Sequence, residues 1–227
     1  MLTEGVHLSE KNEPDPLNPK IAYKAPENAK ILHPFLKYDL TKLPISFSRT
    51  ELSELVADIF DNFKTANKQR FQTYGGIGLQ YAQGFDEYYD TLQDLMALQK
   101  VRPVADGDFR HVNSIGERFK FVFDRFASEE IHLTRARLLI ARPGHLHEPH
   151  FDYDFRIHIP ITTNEKCQAI FGREIYHMPA SGESFLHNGY HKHTFRNFGE
   201  TDRIHFVAGI QGYSLLHRSL MKTQEKY

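Results

Sequence analysis

At 227 residues and 26.4 kDa, the chain is long enough for one domain with a sizeable core and short for two. A net charge of −1, with Lys, Arg, Asp and Glu mixed throughout, leaves no basic stripe for nucleic acid and no footprint for an anionic membrane. The single cysteine, Cys167, excludes an intramolecular disulfide and a cysteine zinc site. No apolar run approaches the roughly 18 to 20 residues of a membrane span, and the first twenty residues lack a signal-type apolar core, so a soluble, cytoplasmic protein is expected.

Residues 1–47 carry Pro14, Pro16, Pro19, Pro26, Pro34 and Pro44, a density that favours an extended N-terminal segment over helix. Ser48 and Glu51 have the form of a capping box, and Leu52, Leu55, Val56, Ile59, Phe60 and Phe63 recur at helical spacing, which predicts a helix from about 49 to 68. The glycine-rich stretch from Tyr74 to Tyr81 lacks the lysine and the following helix of a phosphate loop, and reads as a turn and a strand. Residues 86–99 read as helix. A second apolar stripe, Ile115, Phe119, Val122, Phe123 and Phe126, follows Asn113 and Ser114 as possible caps.

From about 131 the chain changes to short strands broken by turn residues: IHLTRARLLIA, FRIHIPIT, CQAIF, REIYHM, ESFLH, HKHTFRN and DRIHFVAGI. Helices first and strands later give an α+β chain, its N-terminal helices packed on a double-stranded β-helix, a jelly-roll, cupin-like barrel. Residues 48–227 are expected to form one catalytic domain, helical over about 48–128 and barrel over about 131–213. Residues 70–130 and the loops after 160 are where a lid and selectivity are expected.

Histidines concentrate from His145 onward. Read with strand parity, HLHEPHFDYDFRIHIPI sets His150, Asp152, Asp154, Arg156 and His158 on one face and Phe151, Tyr153, Phe155, Ile157 and Ile159 on the other. Phe151, Phe155 and Ile157 are expected to pack into the barrel wall. An imidazole and a carboxylate two residues apart, joined by one distant histidine, make the two-histidine, one-carboxylate set that leaves three positions open on a non-haem Fe(II). Downstream, a histidine strand precedes a strand bearing Arg203, and pairing of those two strands would turn both side chains to one cavity. A guanidinium fork suits a carboxylate, and a metal beside such a clamp is the layout for 2-oxoglutarate.

The ordered motifs RxxIxxPGxxxxPHxD (Arg137 to Asp152), RIHIPI (Arg156 to Ile161), Gly182-Glu183, NxxxxHxxxN (Asn188 to Asn197) and DRIHFV resemble the aspartyl/asparaginyl β-hydroxylase family over about residues 131–210. The resemblance implies that His150, Asp152 and His193 bind Fe(II) and that Arg203 grips the distal carboxylate of 2-oxoglutarate. It further implies that Arg156 and His158 lie near the metal-side carboxylate, and Asp152 sets the chain nearer the bacterial proline-hydroxylase branch. Where some members carry a serine for the distal carboxylate, this chain has Leu139. His191 competes with His193, and the spacings to Asn197 and Arg203 favour His193. His145 and His147 form a His-x-His pair taken as rim or surface.

The expected activity is an Fe(II)- and 2-oxoglutarate-dependent dioxygenase that consumes O2, is supported by ascorbate, and hydroxylates a small amino-acid-like molecule with release of succinate and CO2. Two other readings stand beside it: a hydroxylase of Asp, Asn or Pro residues in a peptide, and a non-catalytic cupin-like module binding a metal or small ligand. Bland roles are also open, Arg156 and His158 pairing with Asp154 in a partly exposed strand, and Arg203 with His205 forming a solvated strand face.

Overall fold

In a computed structural model of the chain, residues 23–24, 38–152 and 154–210 are described, apart from the side chains of 23–24 and 63–74. Most of the proline-rich segment 1–47 lies outside the described residues, but its end does not. Strand β1 (Tyr23–Lys24) pairs with β2 (Leu40–Ser46), which runs within the main sheet. Pro44, with no N–H to give a ladder, falls where the register of β2 slips against its neighbour between Glu183 and Phe185.

Helix α1 (Arg49–Tyr74) begins as its capping residues require, with Ser48 Oγ accepting from Glu51 N at 3.2 Å. It buries Leu52, Val56, Ile59 and Phe60. Strands β3 (Gly76–Gly78) and β4 (Gln80–Tyr81) follow, as the glycine pattern suggests. A Cβ on Gly76 would run into Leu138 O and one on Gly78 into Thr91, so these glycines serve close strand packing.

The helix expected over 86–99 is broken. It consists of a 3-10 turn at Asp90–Leu92 and a short α2 (Leu95–Gln99). The cause is the aspartates: Asp86 Oδ1 accepts from Tyr88 N and Tyr89 N, and Asp94 Oδ1 from Ala97 N, so side chains take donors that a continuous helix would use. After β5 (His111–Val112), Asn113 Oδ1 caps the next turn through Ile115 N and Gly116 N, leading into α3 (Lys120–Ala127).

The barrel strands are β6 (Leu133–Ala141), β7 (His145–Leu146), β8 (Phe155–Thr162) and β9 (Cys167–Phe171). They continue with β10 (Glu174–Tyr176), β11 (Glu183–Asn188), β12 (His193–Asn197) and β13 (Arg203–Ile210). One sheet has the order β1-β2-β11-β8-β13-β6-β3, the other β10-β9-β12-β7. From β8 on the chain passes back and forth between them, β8, β11 and β13 in the large sheet and the β9-β10 hairpin and β12 in the small one, so the α+β expectation of helices ahead of a jelly roll is borne out. No described helix is long and apolar enough to cross a membrane.

Antiparallel partners share a face of their sheet. One face of the large sheet carries Leu138, Ile157, Ile159, Leu186, Phe206 and Ala208, and belongs to the core shared with α1 and α3. Phe206 lies 5.8 Å from Phe119 and 6.0 Å from Phe123 by ring centroids. The opposite face turns to the small sheet and is polar.

Candidate functional site

Register alone sets out that polar face. His187 stands opposite Arg156, His158 opposite Phe185 and Val207, Val207 opposite Arg137, and His205 opposite Leu139. Across the gap lie Phe171 of β9 and His193 and Phe195 of β12. His187 and Phe171 have ring centroids 4.8 Å apart, and His187 and His193 4.3 Å.

His150, Asp152 and His193 converge, their ligand atoms all within 4.8 Å of one another. His193 Nε2 is 3.6 Å from Asp152 Oδ2, and His150 Nε2 is 4.0 Å from Asp152 Oδ1. The outer nitrogen of each imidazole is spoken for: His150 Nδ1 lies 2.8 Å from Glu148 O and His193 Nδ1 2.9 Å from His191 O. A carbonyl only accepts, so Nδ1 carries the proton and both Nε2 lone pairs aim at the common centre, the arrangement metal-binding histidines adopt. Burial disfavours the Asp152 carboxylate, but the positive charge of Arg156 opposes it, and the net effect holds its pKa below the usual carboxylate value. Two neutral nitrogens and one anionic oxygen fit a non-haem Fe(II).

The geometry reaches this end differently from strand parity. His150 and Asp152 precede β8: His150 is tied to His193 by an isolated antiparallel bridge, and Asp152 N donates to Gly189 O at 2.9 Å. A Cβ on Gly189 would clash with Asp154 O and stand 2.5 Å from Asp152 Cβ, so only glycine lets the two segments close around the ligand. Phe151 is 42% exposed and not in the barrel wall, whereas Phe155 and Ile157 are fully buried in it. Tyr153 lies outside the described residues.

Arg203 and His193 do not sit on paired strands. β12 pairs with β9 and β7, β13 with β6 and β8, and the two side chains come from opposite sheets. Arg203 is nevertheless buried between them, its Cζ 3.9 Å from the Phe195 ring centroid. Its Nη2 donates to His205 Nδ1 at 2.7 Å and lies 3.4 Å from His158 Nδ1. Its Nε is buried without a partner, as is His205 Nε2. Among the described residues no carboxylate pairs with Arg203, and burial lowers its pKa to about 9. A buried cation with no anion and an unmet donor fits an incoming carboxylate.

Between Arg203 and the triad runs a file of rings: His193 and His187, His187 and His158 at 5.2 Å, His158 and His205 at 5.6 Å. Burial drives His187, His158 and His205 well below the ordinary imidazole pKa, so the file is neutral.

Arg156 and His158, grouped by the resemblance, part company. His158 belongs to the Arg203 end. Arg156 turns to the triad, with Nη2 2.8 Å from Asp106 Oδ2, Nε 3.8 Å from Asp152 Oδ2 and Nη1 3.6 Å from Asp154 Oδ2. All four, Arg156, His158, Arg203 and His205, are at most 9% exposed, which removes the partly exposed and solvated-face readings.

His191 is outside the triad and pairs with Asp39 at 2.7 Å. His145 and His147 are exposed, His147 with its ring 4.8 Å from that of His150. Asn188 and Asn197 fasten turns: Asn188 Oδ1 accepts from Tyr190 N and Asn197 Nδ2 donates to Ala141 O. Sequence reading passed over His187, which strand parity with Phe185 could have placed inside. It had no signal for Asp106, whose partners Arg135 and Arg156 lie 29 and 50 residues away.

Residues 113–211 match the Aspartyl/Asparaginyl beta-hydroxylase family model. The resemblance read from the motifs is borne out, and with it the class of oxygenase-type hydroxylase. The matched stretch holds the triad, the imidazole file and Arg203. No curated protein matches the chain. Among solved structures, the chain is similar to the apo form of ThoJ, a non-heme monooxygenase, with 15% identity over 78% of this chain and 75% of that one and a TM-score of 0.47. It is also similar to AviO1 from Streptomyces viridochromogenes Tue57, with 12% identity, 82% and 96% coverage and a TM-score of 0.47. An oxidoreductase of the 2OG-Fe(II) oxygenase family from Burkholderia pseudomallei is 14% identical over 84% and 95%, with a TM-score of 0.39. TM-scores below 0.5 leave the assignment to the family match and the site itself.

Proposed function

We propose that this protein is an Fe(II)- and 2-oxoglutarate-dependent dioxygenase that hydroxylates an unactivated C–H bond of a free amino acid or a small derivative of one. The observation that carries the reading is the pairing of a His-Asp-His triad with a buried guanidinium that has no acid partner among the described residues, joined by a file of neutral imidazoles. A metal-binding module without catalysis has no use for that uncompensated cation.

Bound Fe(II), with 2-oxoglutarate and O2, supplies the oxidation, in which the co-substrate leaves as succinate and CO2 and one oxygen atom enters the substrate. The chain's own part is to hold and to exclude. His150, Asp152 and His193 take one face of the metal and leave the other to ligands. Arg203 receives the distal carboxylate, and Phe195 and His205 fix its plane. Phe155, Ile157 and Phe206 close the wall behind. A cytoplasmic location fits the single, free and buried Cys167.

Incubation with Fe(II), ascorbate, 2-oxoglutarate and an amino-acid panel is expected to yield succinate, with a mass gain of one oxygen in the accepted amino acid. No succinate across the panel, together with unchanged 2-oxoglutarate affinity in His150→Ala, would sink the reading.

A further inference from the structure

Along the imidazole file three buried nitrogens have no hydrogen-bond partner among the described residues: Arg203 Nε, His205 Nε2 and His187 Nδ1. The first two stand at the end assigned to the distal carboxylate. His187 stands at the other end, beside the triad, and is not one of the metal-binding set. Buried polar atoms are rarely left unmet, so a nitrogen of this kind at each end of the file asks for a molecule that is polar at both ends.

The place of His187 is fixed from several sides. Strand β11 lies between β2 and β8, with His187 opposite Leu40 on one and Arg156 on the other. Its ring meets that of His193 at 4.3 Å and 82°, and the ring of Phe171 packs on it at 4.8 Å. Phe171 also lies 5.5 Å from His193, so the three rings form one packed group next to the metal centre. A side chain held this firmly keeps the direction of its free nitrogen.

The family resemblance gives the metal-side carboxylate to His158. Its Nδ1 is met at the far end instead, 3.3 Å from His205 Nδ1 and 3.4 Å from Arg203 Nη2. His187, packed directly on a metal ligand, has Nδ1 to spare. 2-Oxoglutarate matches the order of the unmet groups, with oxygens at both ends and two methylene groups between them.

We propose that His187 is a co-substrate-binding residue, donating from Nδ1 to an oxygen of the metal-side half of 2-oxoglutarate while Arg203 holds the distal half. This deepens the dioxygenase reading and rests on it. A neutral imidazole carries one N–H, and with it on Nδ1 the ring gives a carboxylate or keto oxygen the donor it accepts. A phenylalanine would pack on His193 and Phe171 as well and donate nothing.

The test is anaerobic titration of the metal-loaded protein with two ligands, 2-oxoglutarate and pentanoate, which has the distal carboxylate and the chain but no groups for the metal. His187→Phe is expected to bind Mn(II) stoichiometrically, to bind 2-oxoglutarate about tenfold or more weakly, and to bind pentanoate within twofold of wild type. His187→Gln, which keeps an N–H, is expected to recover part of the loss. With Fe(II), the visible charge-transfer band given by 2-oxoglutarate is expected to move in His187→Phe. Circular dichroism checks that both variants fold. Wild-type protein gives a reading that needs no variant: with histidine nitrogens labelled and Zn(II) bound, one imidazole outside the metal set is expected to shift with 2-oxoglutarate and not with pentanoate. The proposal is overturned if no such imidazole exists, if His187→Phe binds 2-oxoglutarate within twofold of wild type, if pentanoate weakens in parallel, or if metal affinity is lost with it, which would make His187 a prop for His193. If wild type binds no 2-oxoglutarate at all, the dioxygenase reading itself fails and takes the proposal with it.

Discussion

The guanidinium of Arg203 lies 3.9 Å from the centroid of the Phe195 ring, so a charge on the large sheet is set by an aromatic face on the small one. Its place therefore depends on the sheets staying packed and on His205, which accepts from its Nη2 at 2.7 Å. Arg203→Lys keeps the charge and loses the fork. It is expected to raise the 2-oxoglutarate KM about tenfold to a hundredfold with metal affinity unchanged. Phe195→Leu, which leaves Arg203 in place but unsupported, is expected to raise the same KM severalfold. Steady-state kinetics against 2-oxoglutarate separate the two, and equal effects on metal affinity would argue against a clamp.

Metal dependence should follow the triad and not its neighbour. Asp152→Ala and His193→Ala are expected to abolish stoichiometric Fe(II) or Mn(II) binding measured by equilibrium dialysis. His191→Ala, which breaks the half-exposed pair with Asp39, is expected to bind metal as wild type does and to cost at most about 1 kcal/mol in stability.

Acid sensitivity follows from the buried imidazoles. His158, His187 and His205 have pKa values far below their unfolded value of about 6.5, burial being the main cause. Below pH 6.5 the unfolded chain binds protons that the folded chain refuses, so stability is full above that pH and falls as pH drops. Each proton contributes about 1.4 kcal/mol per pH unit, so the three together give a slope of up to about 4. Denaturant midpoints of the metal-free protein between pH 5 and 8 check this. A flat profile would mean that the file is not closed to water.

Asp106 is the counter-charge of two buried arginines, at 2.7 Å from Arg135 and 2.8 Å from Arg156, and those neighbours hold its carboxyl well below the usual range against the opposing effect of burial. Removing one member of a buried charged set leaves the others uncompensated. Asp106→Asn is therefore expected to cost about 3–5 kcal/mol in urea unfolding. A cost under 1 kcal/mol would show that the arginines find other anions.

Much of the barrel was legible because short strands there alternate with clear turn residues, and β8 and β9 begin and end where their residue types change. The triad's residue types and the buried cation at 203 were legible too. Parity misled at residues 150–154, because the metal-binding tripeptide is held by an isolated bridge and by Gly189, neither of which leaves a periodic trace. The pairing imagined for the strands of His193 and Arg203 failed since the turn after β12 carries the chain across to the opposite sheet, where β13 pairs with β6 and β8. Residues 86–99 are rich in helix formers, and only side-chain bonds from Asp86 and Asp94 decide against a single helix. The arginine cluster is invisible in sequence, since Arg135 turns inward only through a bulge.

Calorimetric titration of 2-oxoglutarate into anaerobic protein tests most directly whether the triad and Arg203 form one co-substrate site. With Mn(II) bound, one molecule per chain is expected to bind, with affinity lost both in His193→Ala and in Arg203→Met. Binding that persists without metal, or that survives the loss of Arg203, would contradict it.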